Sequence, residues 1–216
     1  MARQTDSIRH LVILGHPAAR SFNRVVAETY CDTVRESGQE AELRDLYAIG
    51  FDPLLKDDER PGQPGFRLSP DVAAEIEPLR SADVVTLIYP IWFGMPPAII
   101  KGYVDRVLGA GLAPQAMREG GPGSLLHGKH FRIITSSASS RAWLEEQGQW
   151  LSLRQAFDTY LSTIFSVRSH DHLHFDAIAE GMSARYVEEC RAVTHQKVRE
   201  WCAMVLSERW RAAASA

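Results

Sequence analysis

The chain has 216 residues, 45% of them hydrophobic, which is enough apolar surface for one core and short for a second independent domain. Its formal net charge of -3 carries no basic excess, so composition excludes an electrostatic footprint for nucleic acid or an anionic membrane. No apolar run approaches the roughly 20 residues that span a bilayer. The opening MARQTDSIRH lacks the charged head, apolar stretch and cleavage site of an export signal, so a single-domain cytoplasmic protein over residues 1–216 is expected. Cys31, Cys190 and Cys202 show no CxxC spacing and fall in helix-like stretches, which predicts reduced, buried thiols and neither a disulfide framework nor a zinc cluster.

In chain order, the apolar run Ile8 to Leu14 ends at Gly15-His16-Pro17, as a buried parallel strand does. Phe22 to Ser37 follows with apolar residues at helical spacing and stops at Gly38. Alternation over Ala41 to Leu46 predicts a strand near a sheet edge and completes a βαβ unit. Residues 51–70 hold four prolines and two glycines among charges and read as a surface loop or lid. Val72 to Leu79 predicts a short helix, Asp83 to Tyr89 the central strand, and Pro96 to Leu108 a helix with proline in its first turn. His130 to Thr135 predicts a strand, Trp150 to Phe165 a helix, Val167 to Phe175 a last strand and Ser183 to Glu208 a long helix, with residues 209–216 a frayed tail. This alternation predicts an α/β fold, a five-stranded doubly wound parallel sheet with helices on both faces.

In such sheets a ligand lies beyond the carboxyl ends of the strands, where strand order reverses. Three loops compete for that place. Residues 15–23, GHPAARSFN, offer a helix N-terminus, the Ser21 hydroxyl and the Arg20 guanidinium to a phosphate; Ser21 or Asn23 acting as a simple helix cap is the alternative. The loop has no GxGxxG, and no acidic residue is read at the end of the second strand where a dinucleotide ribose needs one, so a Rossmann-type NAD site is disfavoured. Residues 89–97, YPIWFGMPP, place two large aromatics and three prolines at a strand exit, which suits a wall against an extended ring system. Residues 135–140, TSSASS, allow close backbone approach, or form a solvated polar turn.

At these loops the chain resembles the flavodoxin-like NAD(P)H:quinone oxidoreductase family, the flavodoxin-2 type of NAD(P)H dehydrogenase. The carriers are GHP and SFN within residues 15–23 and YPIWFGMPPAIIKGYVDRVL over residues 89–108. The resemblance implies a flavodoxin-like fold in which His16, Arg20, Ser21, Phe22 and Asn23 hold phosphate or pyrophosphate. Pro90, Ile91, Trp92 and Phe93 would border a flavin ring, and Thr135, Ser136, Ser137 and Ala138 would close its other side. It further implies FAD more than FMN, NAD(P)H as co-substrate, ping-pong hydride transfer to a quinone or other conjugated acceptor, and a homodimer.

The chain departs from that pattern where a glycine pair, a tyrosine and a histidine are expected after the fourth strand. Ser137 and Ala138 replace the glycines, and Trp143 and Gln149 stand at the two catalytic positions. A neutral amide donates a hydrogen bond but does not shuttle a proton near pH 7, so the charge relay is expected to be altered. Gly111-Leu112-Ala113-Pro114 lacks the family's pocket aromatics, which implies a wider acceptor pocket. A flavin-binding regulatory or electron-carrying module is the rival reading, and a flavin-free binding fold a third. His170-Asp171-His172-Leu173-His174 puts three imidazoles on one face of the last strand, and is read as a polar edge or dimer contact and not as a metal site.

Overall fold

The computed structural model describes residues 7–111 and 123–214. Five strands, β1 (Arg9–Leu14), β2 (Glu40–Asp45), β3 (Val84–Pro90), β4 (His130–Ser136) and β5 (Ser169–Phe175), pair in parallel in the order β2-β1-β3-β4-β5. Chain order reverses between β1 and β3, because β2 lies on one side of β1 and every later strand on the other. Register brings the carboxyl ends level: Leu14 pairs with Asp45 and Ile88, Pro90 with Ser136, and Ser136 with Phe175.

Side-chain alternation sorts the sheet's two faces. Val12, Leu14, Ile88 and Ile134 pack under α1 (Phe22–Glu36) and α7 (Ala184–Ala214), against Val26, Tyr30, Val198 and Trp201. Leu11, Ile13, Val85, Leu87, Phe131 and Ile133 face α2 (Pro70–Ser81), α3 (Ala98–Arg106) and the helical stretch after β4. All seven residues of β3 are buried, so this strand reads as continuously apolar while half-exposed β2 alternates. The three cysteines are free and buried. Among the described residues no helix is long and apolar enough to cross a membrane.

Element ends depart from the sequence reading in instructive places. The last helix runs to Ala214, so residues 209–214 are helical where a frayed tail is expected; arginine and alanine are strong helix formers, and Arg211 Nε donates to Ser207 O at 3.3 Å. The remaining two residues of that tail, and residues 112–114 of the segment lacking pocket aromatics, lie outside the described residues. After β4 there is a short helix the sequence did not reveal, α4 (Arg141–Glu146). The next helix begins as α5 (Gln149–Leu153), widens into a π segment over Arg154–Thr159 and resumes as α6 (Tyr160–Ile164). One extra residue per turn rotates the helix face, an adjustment no apolar period announces.

Residues 51–70 do run over the surface, yet they are fastened and carry a single 3₁₀ turn, Asp57–Glu59. The fastener is Arg106, fully buried at the end of α3. Its Nε and Nη2 donate to the two Glu59 oxygens at 2.8 and 2.6 Å, Nη1 donates to Asp71 Oδ2 at 2.7 Å and to the Asp52 carbonyl, and the cation lies 5.3 Å over the Phe51 ring. The guanidinium holds the Glu59 carboxyl down to about 2. Gly102 lets the loop approach α3, since a Cβ there would fall 2.4 Å from the Pro53 backbone.

Removing the cation leaves two carboxylates without their partner, so Arg106→Leu is expected to lose about 3–5 kcal/mol in urea unfolding. A second expectation concerns His10, buried at the start of β1. The Gln39 amide donates to Cys202 O, which leaves Gln39 Oε1 to accept from His10 Nε2 at 2.8 Å, and His10 Nδ1 lies 2.8 Å from the Tyr30 hydroxyl. Those partners satisfy a neutral ring, and burial drives its pKa down to about 4. The unfolded chain takes up the proton near 6.5, so stability is full above that pH and falls as pH drops toward 4, by ~3 kcal/mol for this group. Urea midpoints measured from pH 7 to pH 4 check this.

Candidate functional site

The loops leaving β1, β3 and β4 converge, and hydrogen bonds lock them together. Gly15 N donates to Ile88 O at 2.9 Å, Ile91 N to Ser136 O at 2.7 Å, and Ser136 Oγ to Asn23 Oδ1 at 3.0 Å. Between them lies a cleft of about 600 Å³ lined by His16, Arg20, Ser21, Phe22, Asn23, Pro90, Ile91, Trp92, Ser136, Ser137 and Ala138. A second cleft of about 500 Å³ shares Ile91, Trp92, Ser137 and Ala138 with the first and adds Phe93, Gly94, Ser139, Trp143 and Gln149. Together they form one trough along the carboxyl edge, of the size that small-molecule cofactors occupy.

Its first end is built for an anion. Ser21 sits in extended conformation and its hydroxyl accepts from Arg24 N at 3.2 Å, so it caps α1 and lines the trough at once. The backbone N–H groups of Phe22 and Asn23, at the positive end of the helix dipole, take no partner among the described residues. Arg20 also lines the trough and makes no hydrogen bond or ion pair among the described residues. His16 Nδ1 accepts from Ala18 N at 3.1 Å, and partial burial lowers its pKa, so the cation this end offers is Arg20. Phe22 stands edge-on to Phe175 at 5.4 Å and anchors the helix start.

The other end is built for a flat apolar body. Trp92 meets the His16 ring edge at 5.8 Å, and Trp92 and Met95 exchange two backbone hydrogen bonds of 3.0 Å around Phe93 and Gly94. Both central residues are left-handed, with φ of 50° and 78°, as a type I′ turn requires. Phenylalanine is a strained choice there, and its ring is fully exposed over the cleft. Trp143 is half-exposed on the opposite wall, and Gln149 Oε1 lies 4.0 Å from where a Cβ on Gly94 would stand.

Three sequence readings need correction or sharpening. Thr135 lies beneath the trough and not on it: it is fully buried, and its hydroxyl contacts His172 Nε2 at 2.7 Å and His174 Nδ1 at 2.8 Å. An acidic residue does end the second strand, Asp45, but it is engaged by Arg24 and by the backbone N–H groups of Tyr47 and Ala48 at 3.1 and 3.2 Å. The last strand's histidines divide: His170 is exposed, while His172 and His174 turn inward beneath Trp150, at 5.0 and 4.8 Å. Sequence reasoning also missed the loop after β5, whose Ile178, Ala179, Glu180 and Met182 line the first cleft. Its position after a strand's carboxyl end was the available signal.

A doubly wound parallel sheet in this strand order, with its trough at the β1/β3 reversal, defines a flavodoxin-like α/β protein. The family model Flavodoxin_2, described as flavodoxin-like fold, matches residues 8–202, and the chain belongs to that family. An uncharacterized NAD(P)H oxidoreductase of Haemophilus influenzae is 38% identical over 107 residues, 49% of this chain and 53% of that protein. NAD(P)H dehydrogenase (quinone) 1 of Rattus norvegicus is 37% identical over 123 residues, 49% of this chain and 44% of its own length. The chain thus spans about half the length of the curated relatives it matches. Among solved structures, an NAD(P)H:quinone oxidoreductase from Methanothermobacter marburgensis superposes with a TM-score of 0.72 at 23% identity, covering 91% of this chain and 98% of that one. An FMN-dependent NADH-azoreductase of Bacillus anthracis in complex with FMN gives 0.63 at 16% identity, covering 92% and 99%.

The strained turn yields an expectation. Asparagine tolerates the left-handed region, so Phe93→Asn is expected to raise unfolding stability by about 0.5–1 kcal/mol, read from urea midpoints of the ligand-free protein.

Proposed function

We propose that this chain is a flavin-dependent NAD(P)H oxidoreductase of one flavodoxin-like domain, reducing a quinone or similar conjugated acceptor by two-electron, ping-pong transfer. The observation that carries the reading is the division of one trough into an anion end and a flat apolar end. The donor set fits a flavin. Arg20 and the Phe22 and Asn23 N–H groups are of the right chemistry for its phosphate, and Ile91, Trp92 and Ala138 for its ring. FAD is favoured over FMN on the His16-to-Asn23 pattern, and Arg20 would hold its diphosphate.

When bound, the flavin supplies the redox chemistry, taking a hydride from NAD(P)H and passing it to the acceptor. The chain's part is positional. Trp92 and the Phe93–Gly94 turn form one wall, Ser137 and Ala138 bring small side chains close to the ring edge, and Trp143 and Gln149 bound the space left for nicotinamide and acceptor in turn. Gln149 offers an amide proton as a hydrogen bond and keeps it. Exposed Trp92, Phe93, Met95, Trp143, Leu151 and Tyr160 supply the apolar surface that a second copy would cover, so the active form is read as a homodimer.

The neutral amide at Gln149 is also what favours the second reading, a flavin-binding regulatory or electron-carrying module with little turnover. An anaerobic visible spectrum taken before and after NADPH separates the two. Bleaching of the flavin band is the expected outcome, and a flavin that stays oxidised favours the module. Arg20→Ala is expected to weaken flavin binding by roughly tenfold, the share of one charge-assisted hydrogen bond, measured by fluorescence titration of the stripped protein.

A further inference from the structure

Beneath the trough runs a buried polar chain that the reading above does not use. The π segment brings Asp158 inward, where its Oδ2 lies 2.5 Å from His172 Nδ1. His172 Nε2 is 2.7 Å from Thr135 Oγ1, which is 2.8 Å from His174 Nδ1. His174 Nε2 is 3.1 Å from Ser137 Oγ, and Ser137 Oγ is 2.7 Å from the Ser139 carbonyl. The His172 and Asp158 side chains are each 1% exposed, and Ser137 lines both clefts.

Counting protons shows that this chain has two states. The 2.5 Å contact needs a proton between carboxylate and imidazole, since facing lone pairs repel. If His172 carries only that proton, its Nε2 must accept from the Thr135 hydroxyl. Thr135 then accepts from His174 Nδ1–H, and His174 Nε2 accepts from the Ser137 hydroxyl, so Ser139 loses its donor. Add one proton to the Asp158–His172 pair and every bond from His172 Nε2 to Ser137 reverses. His172 Nε2–H donates to Thr135, Thr135 to His174 Nδ1, His174 Nε2–H to Ser137, and the Ser137 hydroxyl is free for Ser139 or for a group in the trough.

We propose that Asp158, His172, Thr135, His174 and Ser137 form a proton store for the trough, loaded by one extra proton on the Asp158–His172 pair and discharged through the Ser137 hydroxyl. This rests on the oxidoreductase reading, in which two-electron reduction of a quinone-like acceptor takes one hydride from NAD(P)H and one proton besides. On discharge the Ser137 O–H bond breaks toward the acceptor oxygen. Ser137 takes the proton from His174 Nε2, His174 Nδ1 takes one from Thr135, and Thr135 takes one from His172 Nε2. Asp158 stays a carboxylate, no electrons move within the chain, and a proton from water entering at Ser137 reloads it.

The surroundings suit the task. Burial and the neighbouring His172 hold the His174 pKa down to about 4, so an arriving proton passes through His174 and does not rest on it. Among the described residues Asp158 Oδ1 has no hydrogen-bond partner, and His172 and Arg154 Nε, 3.7 Å from Oδ2, compensate its charge. Among the described residues, the charged and titratable groups facing the chain are Arg154 on its own helical stretch, Tyr89 of β3, whose buried hydroxyl stays protonated, Arg141 of α4, and Asp176 beyond β5.

The test needs no flavin, so its failure is distinct from failure of the oxidoreductase reading. Protein labelled with ¹⁵N-histidine is followed by long-range ¹H–¹⁵N spectra from pH 8 to pH 5. Expected is a neutral His174 whose proton moves from Nδ1 to Nε2 in the same step in which His172 gains its second proton. Asp158→Asn, whose amide oxygen accepts from His172 Nδ1–H, is expected to hold His174 in the Nδ1–H form throughout. In flavin-loaded protein the same variant is expected to slow acceptor reduction by about a hundredfold and to flatten its pH profile. One unchanging His174 tautomer in the unmutated protein overturns the proposal whether or not the variant folds. So does an Asp158→Asn protein whose tautomer exchange or pH profile is unaltered.

Discussion

Parallel pairing is the constraint from which the rest of the molecule follows. A parallel strand must be followed by a crossover that returns the chain to the same end, so every strand of this sheet exits at one edge. The crossovers cover both faces, which is why β3 and β4 are buried along their whole length and β1 from His10 onward. Several polar groups within that sheet are held by specific partners. His10 has Tyr30 and Gln39, Thr86 donates to the Tyr30 hydroxyl, and Thr135 has its two histidines.

The same constraint makes the site. Loops that end level with one another leave a trough with no side chain to fill it at the point where β1 and β3 diverge, and the α1 N-terminus supplies its electropositive end. The functional surface is therefore mostly backbone and small side chains held by sheet register, with aromatics at the rim. Deep groups reach it only through a relay, and the Asp158-to-Ser137 chain has that layout: acid and imidazoles in the dry layer, one hydroxyl at the surface.

Much of this was legible beforehand because burial writes simple patterns. Largely apolar runs marked β1 and β3, the stretch HFRIIT marked β4, alternation marked β2, and the loop sequences GHP, SFN and YPIWFG lie where the trough is. What escaped shares a physical cause, namely dependence on how side chains turn and not on what they are. Thr135 looks like its serine neighbours in sequence, yet register with His174 sends it under the loop. Asp158 sits in an unremarkable helical stretch until a π segment re-aims it. Asp45 was present at the strand end, and only its ties to Arg24, Tyr47 and Ala48 show that it is committed locally. The terminal helix outran its apolar stripe because propensity and backbone bonding carry it on to Ala214.

Arg106 has a consequence for the length of the chain. Its two carboxylate partners, Glu59 and Asp71, stand at either end of the stretch 60–70, so one buried guanidinium fixes the distance between the ends whatever lies between them. Closing a longer loop between fixed points adds only about 0.6 kcal/mol per doubling of its length. The span from Arg60 to Ser69 is thus uncoupled from the sheet it borders: a stretch in which size and composition are open to drift, to insertion or to the attachment of a foreign segment, while the trough keeps its shape.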